Sequence, residues 1–203
     1  MTGLALLELK LLGAGNLAPW NMVLEAGECQ VLSGPSGSGK SRILRAIADL
    51  DPHEGLALLN DQPCNAYPPQ QWRQQVGMLA AESAWWAERV GAHFPATVDG
   101  ALMQSLGFTD EALEWELARC STGEKQRLAL LRLLNNSPRV LLLDEPTASL
   151  DPANVTRVEQ VLLNYIQTNQ AAAIWVSHDP EQIQRVATGH MTIRQGEIQE
   201  QSL

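Results

Sequence analysis

The sequence predicts an α/β fold: a core with a mainly parallel sheet, an antiparallel β subdomain at its N-terminal end, and a small helical subdomain. Three observations predict it. Short apolar runs, such as residues 140–143 and 171–176, alternate with stretches of helical periodicity. A glycine-rich loop at residues 34–41 joins one apolar run to one of these helices. Two adjacent acids, Asp144 and Glu145, close another run, where the carboxyl ends of parallel strands form a ligand crevice.

Taken in order, apolar residues dominate 4–12, and 22–24 leads through the turn Gly27-Glu28 into a strand at 29–33. Ile43, Leu44, Ile47 and Leu50 then recur at helical spacing until Asp51-Pro52 stops the helix. A short strand at 56–59 turns at Asn60-Asp61, a polar helix is expected over 68–75, and a strand over 76–80. From 82 to 119 the character changes: Trp85, Trp86, Phe94 and Trp115 lie among expected helices at 98–106 and 110–119. Next come a helix at 123–134, a strand at 139–143, and a helix at 152–167 with Asp151 as cap and Pro152 in first position. A strand at 171–177, a helix opened by Asp179-Pro180, and a hairpin turning at Gln195-Gly196 complete the alternation.

With 203 residues, 45% of them hydrophobic, the chain can bury the core of a single domain. The expected division is 1–81 with 121–203 as core and 82–120 as the helical subdomain. A net charge of −9 opposes a nucleic-acid binder, because phosphate neutralisation needs clustered Lys and Arg. No apolar run approaches the roughly 18 residues that cross a bilayer, and no basic-then-apolar leader opens the chain, so a cytoplasmic location is expected. Cys29, Cys64 and Cys120 form no CxxC pair and read as reduced thiols.

The loop Gly34, Pro35, Ser36, Gly37, Ser38, Gly39, Lys40, Ser41 fits G-x-x-x-x-G-K-[ST] after a strand and before a helix. Its glycines let backbone N–H groups converge on phosphates at the positive end of a helix, Lys40 reaches the β and γ phosphates, and Ser41 can ligand Mg²⁺. Asp144 is a second candidate for Mg²⁺, and Glu145 a candidate general base. Ser121 and Glu124 fit the S-x-x-E capping box, a helix start that can also face an anion. His178 follows an apolar strand on the same edge and is a candidate γ-phosphate contact.

In this order the glycine-rich loop, Ser121-Thr-Gly-Glu-Lys-Gln-Arg127, Leu141-Leu-Leu-Asp-Glu-Pro146, Ser149-Leu150-Asp151 and Ser177-His178-Asp179 closely resemble the ATP-binding cassette (ABC) ATPases. The resemblance implies ATP and Mg²⁺ as ligands and ATP hydrolysis as the activity. It also implies a head-to-tail dimer, homomeric or heteromeric, in which one copy's signature segment closes over the ATP on the other's phosphate loop. Ser121, Gly123 and Glu124 would belong to that contact, Asp151 to the loop crossing the interface, and His178 to the histidine switch. Separate transmembrane permease subunits would hold the chain at the inner face of the membrane and move a substrate. The alternatives are a non-transport ABC ATPase and a partly degenerate regulatory cassette.

The chain departs from the family pattern at four places. Cys120 and Thr122 stand where the signature has Leu and Gly, and Ala81, followed by Glu82, stands where the lid glutamine is expected. Leu11, Leu12 and Gly13 occupy the region of the adenine-stacking aromatic, so base stacking is expected either to be weak or to come from Trp20. Between lid and signature, Trp85, Trp86, Val90 and Phe94 are equally candidates for docking a permease helix or for core packing. Trp72-Arg-Gln-Gln-Val76 and Trp175-Val-Ser-His-Asp179 look similar to cassettes of metal-homeostasis exporters.

Overall fold

The computed structural model describes residues 5–202. Its first half contains β1 (Ala5–Gly13), β2 (Trp20–Glu25), β3 (Cys29–Ser33), α1 (Lys40–Ile47), β4 (Glu54–Leu59), β5 (Gln62–Pro63), α2 (Pro69–Gln75), β6 (Val76–Leu79) and α3 (Gly100–Ser105). The second contains α4 (Thr122–Leu134), β7 (Val140–Asp144), α5 (Pro152–Thr168), β8 (Ala172–Val176), α6 (Pro180–Val186), β9 (Gly189–Arg194) and β10 (Glu197–Gln201). The expected start of the first strand at Leu4 lies outside the described residues.

Two sheets result. An antiparallel one runs β2-β1-β4-β5, and a larger one runs β10-β9-β3-β8-β7-β6, parallel throughout except for β10. The parallel strands are near-continuous apolar runs because both faces are covered. Alternate residues feed two cores: Leu142, Ile174 and Val176 face one with α1 and the antiparallel sheet, while Leu141, Leu143 and Trp175 face the other with α4 and α5. In the second, the buried Trp175 indole N–H has no partner among the described residues.

The segment between β6 and α4 is less helical than its sequence suggests. Helix α3 is confined to six residues because the Asp99 carboxylate caps the N–H groups of Ala101 and Leu102, and Gly107 turns the chain away at φ +83°. The helix expected at 110–119 is instead two 3-10 turns, Asp110–Glu114 and Leu117–Arg119. Trp115 and Glu116 between them are extended, and Glu116 bridges to Arg89. That single bridge, together with the edge-to-face contact of Trp115 with Phe108 and the Arg119 guanidinium over its ring, wins over local helix propensity. Val90 is core, Trp85 and Phe94 are half-buried, and of the four apolar docking candidates only Trp86 stands clear, at 71% exposure.

Candidate functional site

Strands β3, β8 and β7 are neighbours and run parallel, so their carboxyl ends share one edge. Val176 is level with both Leu32 and Asp144, and the Ser177 N–H donates to the Leu32 carbonyl at 3.3 Å. That register delivers the glycine-rich loop from β3, the two acids from β7 and His178 from β8 to one place.

The loop is shaped by its glycines. Gly34, Gly37 and Gly39 adopt φ of +144°, +76° and +105°, values that suit residues without a Cβ. A Cβ on Gly34 would lie 2.9 Å from the Ile193 carbonyl and 3.1 Å from Ser38 Oγ, whereas one on Gly37 would meet nothing within 4 Å. Gly37 is thus the open side of the cradle. Among the described residues, the buried Ser38 hydroxyl has no hydrogen-bond partner. A phosphate oxygen would satisfy that orphan, so the loop fits an anion.

Lys40 is 7% exposed, and its ammonium donates to the carbonyls of Gly34 and Pro35, each at 2.9 Å. Burial draws its pKa below the ordinary lysine value, while Glu145 and Asp144 oppose that shift. Ser41 is exposed in the first turn of α1, and Asp144 is buried. A hydroxyl and a carboxylate are hard oxygen donors, the chemistry that Mg²⁺ selects.

Glu145 carries a left-handed backbone, φ +49°, unusual for a residue with a Cβ. Its Oε1 lies 2.8 Å from His178 Nε2. Because a carboxylate only accepts, Nε2 is the protonated nitrogen in that contact. Loop, acid pair and histidine are therefore assembled within one chain.

Ser121, Gly123, Glu124 and Asp151 form a separate group. The Ser121 side chain accepts from the Glu124 N–H at 3.2 Å, and the Glu124 carboxylate accepts from the Ser121 N–H at 2.8 Å. That hydrogen bond holds the Glu124 carboxyl below its usual pKa. Asp151 caps α5 by accepting from the Asn154 N–H at 3.0 Å, which lowers its pKa likewise. A Cβ on Gly123 would lie 3.1 Å from the Ser149 carbonyl, so the start of α4 abuts the loop leading to Asp151. Among the described residues no hydrogen bond joins this group to residues 34–41.

The substitutes at the departures lie elsewhere. Trp20 is half-buried beside Gln30 and His190, in a cleft without any residue of 34–41. Leu17, rather than an aromatic, packs over Gly39. Ala81 is exposed, and Glu82 lines a groove with Arg45, Arg73, Trp86 and Arg132. Sequence reasoning gave no role to Thr147, Glu159 and Gln182 and none beyond its motif to Ser177, which together form a buried polar chain behind Glu145 and His178. Thr147 and Ser177 lie in loops, and Glu159 and Gln182 stand among other polar residues of α5 and α6, so nothing in the pattern singled them out.

A model described as ABC transporter matches residues 17–148. The chain is 34% identical over 175 residues to the probable iron export ATP-binding protein FetA of Escherichia coli (strain K12), covering 80% of this chain and 78% of that one. It is 30% identical over 201 residues to the phosphate import ATP-binding protein PstB of Aeropyrum pernix, covering 86% and 79%. In fold it matches the post-hydrolysis dimer of the ATP-binding cassette MJ0796 bound to ADP and Pi, with TM-score 0.83 and 21% identity over 97% of this chain and 98% of that one.

Proposed function

The chain belongs to the ABC transporter family as an ATP-hydrolysing, nucleotide-binding subunit, and from that premise we propose that its hydrolytic centre is the edge where residues 34–41, Asp144, Glu145 and His178 meet. The single observation that carries this reading is the 2.8 Å contact of His178 with Glu145 beside the Lys40 loop. The loop N–H groups bind the phosphates of ATP, and Lys40 exchanges its two carbonyl partners for phosphate oxygens. Ser41 and Asp144 would hold Mg²⁺, which would offset charge on the phosphates. Glu145 accepts a proton from the attacking water, and His178 orients that carboxylate. The Glu145–His178 pair also favours a hydrolysing cassette over a degenerate one.

Ser121, Gly123, Glu124 and Asp151 are proposed to serve the ATP of a second copy, which explains their separation from the loop in a single chain. We propose one domain spanning the chain, with 82–120 as its helical part. The partners proposed are transmembrane permease subunits, docked at the groove beside Trp86 and Arg132, and the location is peripheral at the inner membrane face. Among the described residues, no helix is long and apolar enough to cross a membrane. Likeness to the iron-export relative makes metal homeostasis the first class of cargo to test.

The test is Glu145→Gln. Its expected result is nucleotide binding at wild-type affinity with turnover reduced by about 10²-fold or more; undiminished turnover would sink the assignment. In parallel, Trp86→Ala should leave the isolated chain's ATPase intact but abolish recovery of a polytopic partner from membranes.

A further inference from the structure

We propose that Gln182 is a positioning residue that clamps the Glu145 and His178 loops to each other, an inference that rests on the hydrolytic centre proposed above. Gln182 lies on α6, 4% exposed, and three hydrogen bonds use its amide. Its Oε1 accepts from the Ser177 hydroxyl at 2.8 Å. Its Nε2 donates to Thr147 Oγ1 at 2.9 Å and to Glu159 Oε1 at 2.8 Å. Ser177 adjoins His178, and Thr147 stands two residues beyond Glu145. One side chain thus bridges the two loops whose side chains meet at 2.8 Å.

The amide can make these contacts in only one orientation, and Glu159 selects it. A carboxylate accepts and cannot donate, so the NH₂ must face Glu159, turning the carbonyl oxygen toward Ser177. The Ser177 hydroxyl then donates to Gln182 and accepts from the Asp179 N–H at 3.2 Å. Glu159 is itself held by Arg185 through two hydrogen bonds of 2.9 and 2.8 Å. It is 5% exposed, on α5 between Val158 and Val161 of the second core. Arg185 is 45% exposed, so this half-buried pair recovers only part of the cost of burying Glu159, and the ion pair alone does not account for an acid there. Orientation of Gln182 does. The left-handed backbone at Glu145 persists only where its surroundings hold it, and the Thr147 arm is one such restraint.

The test uses the full chain in three variants, Gln182→Leu, Thr147→Val and Thr147→Ser, with Glu145→Gln as control. For Gln182→Leu, kcat should fall about tenfold or more while KM for ATP moves less than about threefold, the split that marks lost transition-state positioning. Thr147→Val, which deletes one arm at nearly constant volume, should lower kcat in part; Thr147→Ser, which keeps the hydroxyl, should restore it. In the nucleotide-free chain, amide hydrogen exchange in Gln182→Leu should quicken at residues 145–149 and 177–179 with β3 and β7 unchanged. Wild-type kcat in Gln182→Leu, or equal activity of the two Thr147 variants, overturns the clamp. If Gln182→Leu does not fold, the Thr147 pair decides. Loss of turnover in Glu145→Gln with none in Gln182→Leu removes the clamp alone, whereas full turnover in Glu145→Gln removes the centre it serves.

Discussion

At the scale of single residues, two of the three cradle glycines separate sterics from backbone strain. Gly34→Ala meets the Ile193 carbonyl at 2.9 Å, a backbone atom that cannot step aside, in addition to an unfavourable φ. Gly37→Ala meets nothing within 4 Å and carries only the left-handed penalty, roughly 1–2 kcal/mol. Thermal melting should therefore rank wild type above Gly37→Ala above Gly34→Ala, and Gly34→Ala should lose ATP binding as well. These positions were legible in the sequence because spacing alone defines the loop. The Glu145–His178 contact was not, since it depends on the register of β7 and β8 and joins residues 33 positions apart. Trp20 misled for a related reason: its proximity in sequence to the departures said nothing about which cleft its strand would line.

Among the elements, α4 begins with a reciprocal cap that ties its stability to pH. Ser121→Ala should destabilise the chain by about 1 kcal/mol, measured by urea unfolding at neutral pH. Since the folded state depresses the Glu124 pKa, the carboxylate contributes stability above its unfolded pKa and loses it as pH falls through the lower folded value. The gap between wild type and Glu124→Ala should accordingly be present at neutral pH and close in acid. Caps at Ser121, Asp151 and Asp179 were all readable beforehand, because N-cap chemistry is local. The segment 82–120 was less so: Glu116 pairs with Arg89, a partner 27 positions away that helical periodicity could not anticipate. Val90 likewise reads as an exposed anchor or a core residue until Leu113, Trp115 and their neighbours are packed around it.

For the whole molecule, the two separated groups of site residues make association the step to measure. Glu145→Gln with ATP should elute as a dimer in size-exclusion chromatography and as a monomer without nucleotide; adding Ser121→Arg, which sets a bulky cation at the exposed start of α4, should keep it monomeric. The proposed pairing is reserved for nucleotide, and three of the four sheet edges are built accordingly. β5 ends at two residues with Pro63, which has no N–H to offer, and β6 has four residues. β10 sets Glu197 and Glu200 along its outer edge. Short, interrupted or charged margins resist addition of a foreign strand, so at these three edges a pool of empty subunits is protected from edge-to-edge aggregation.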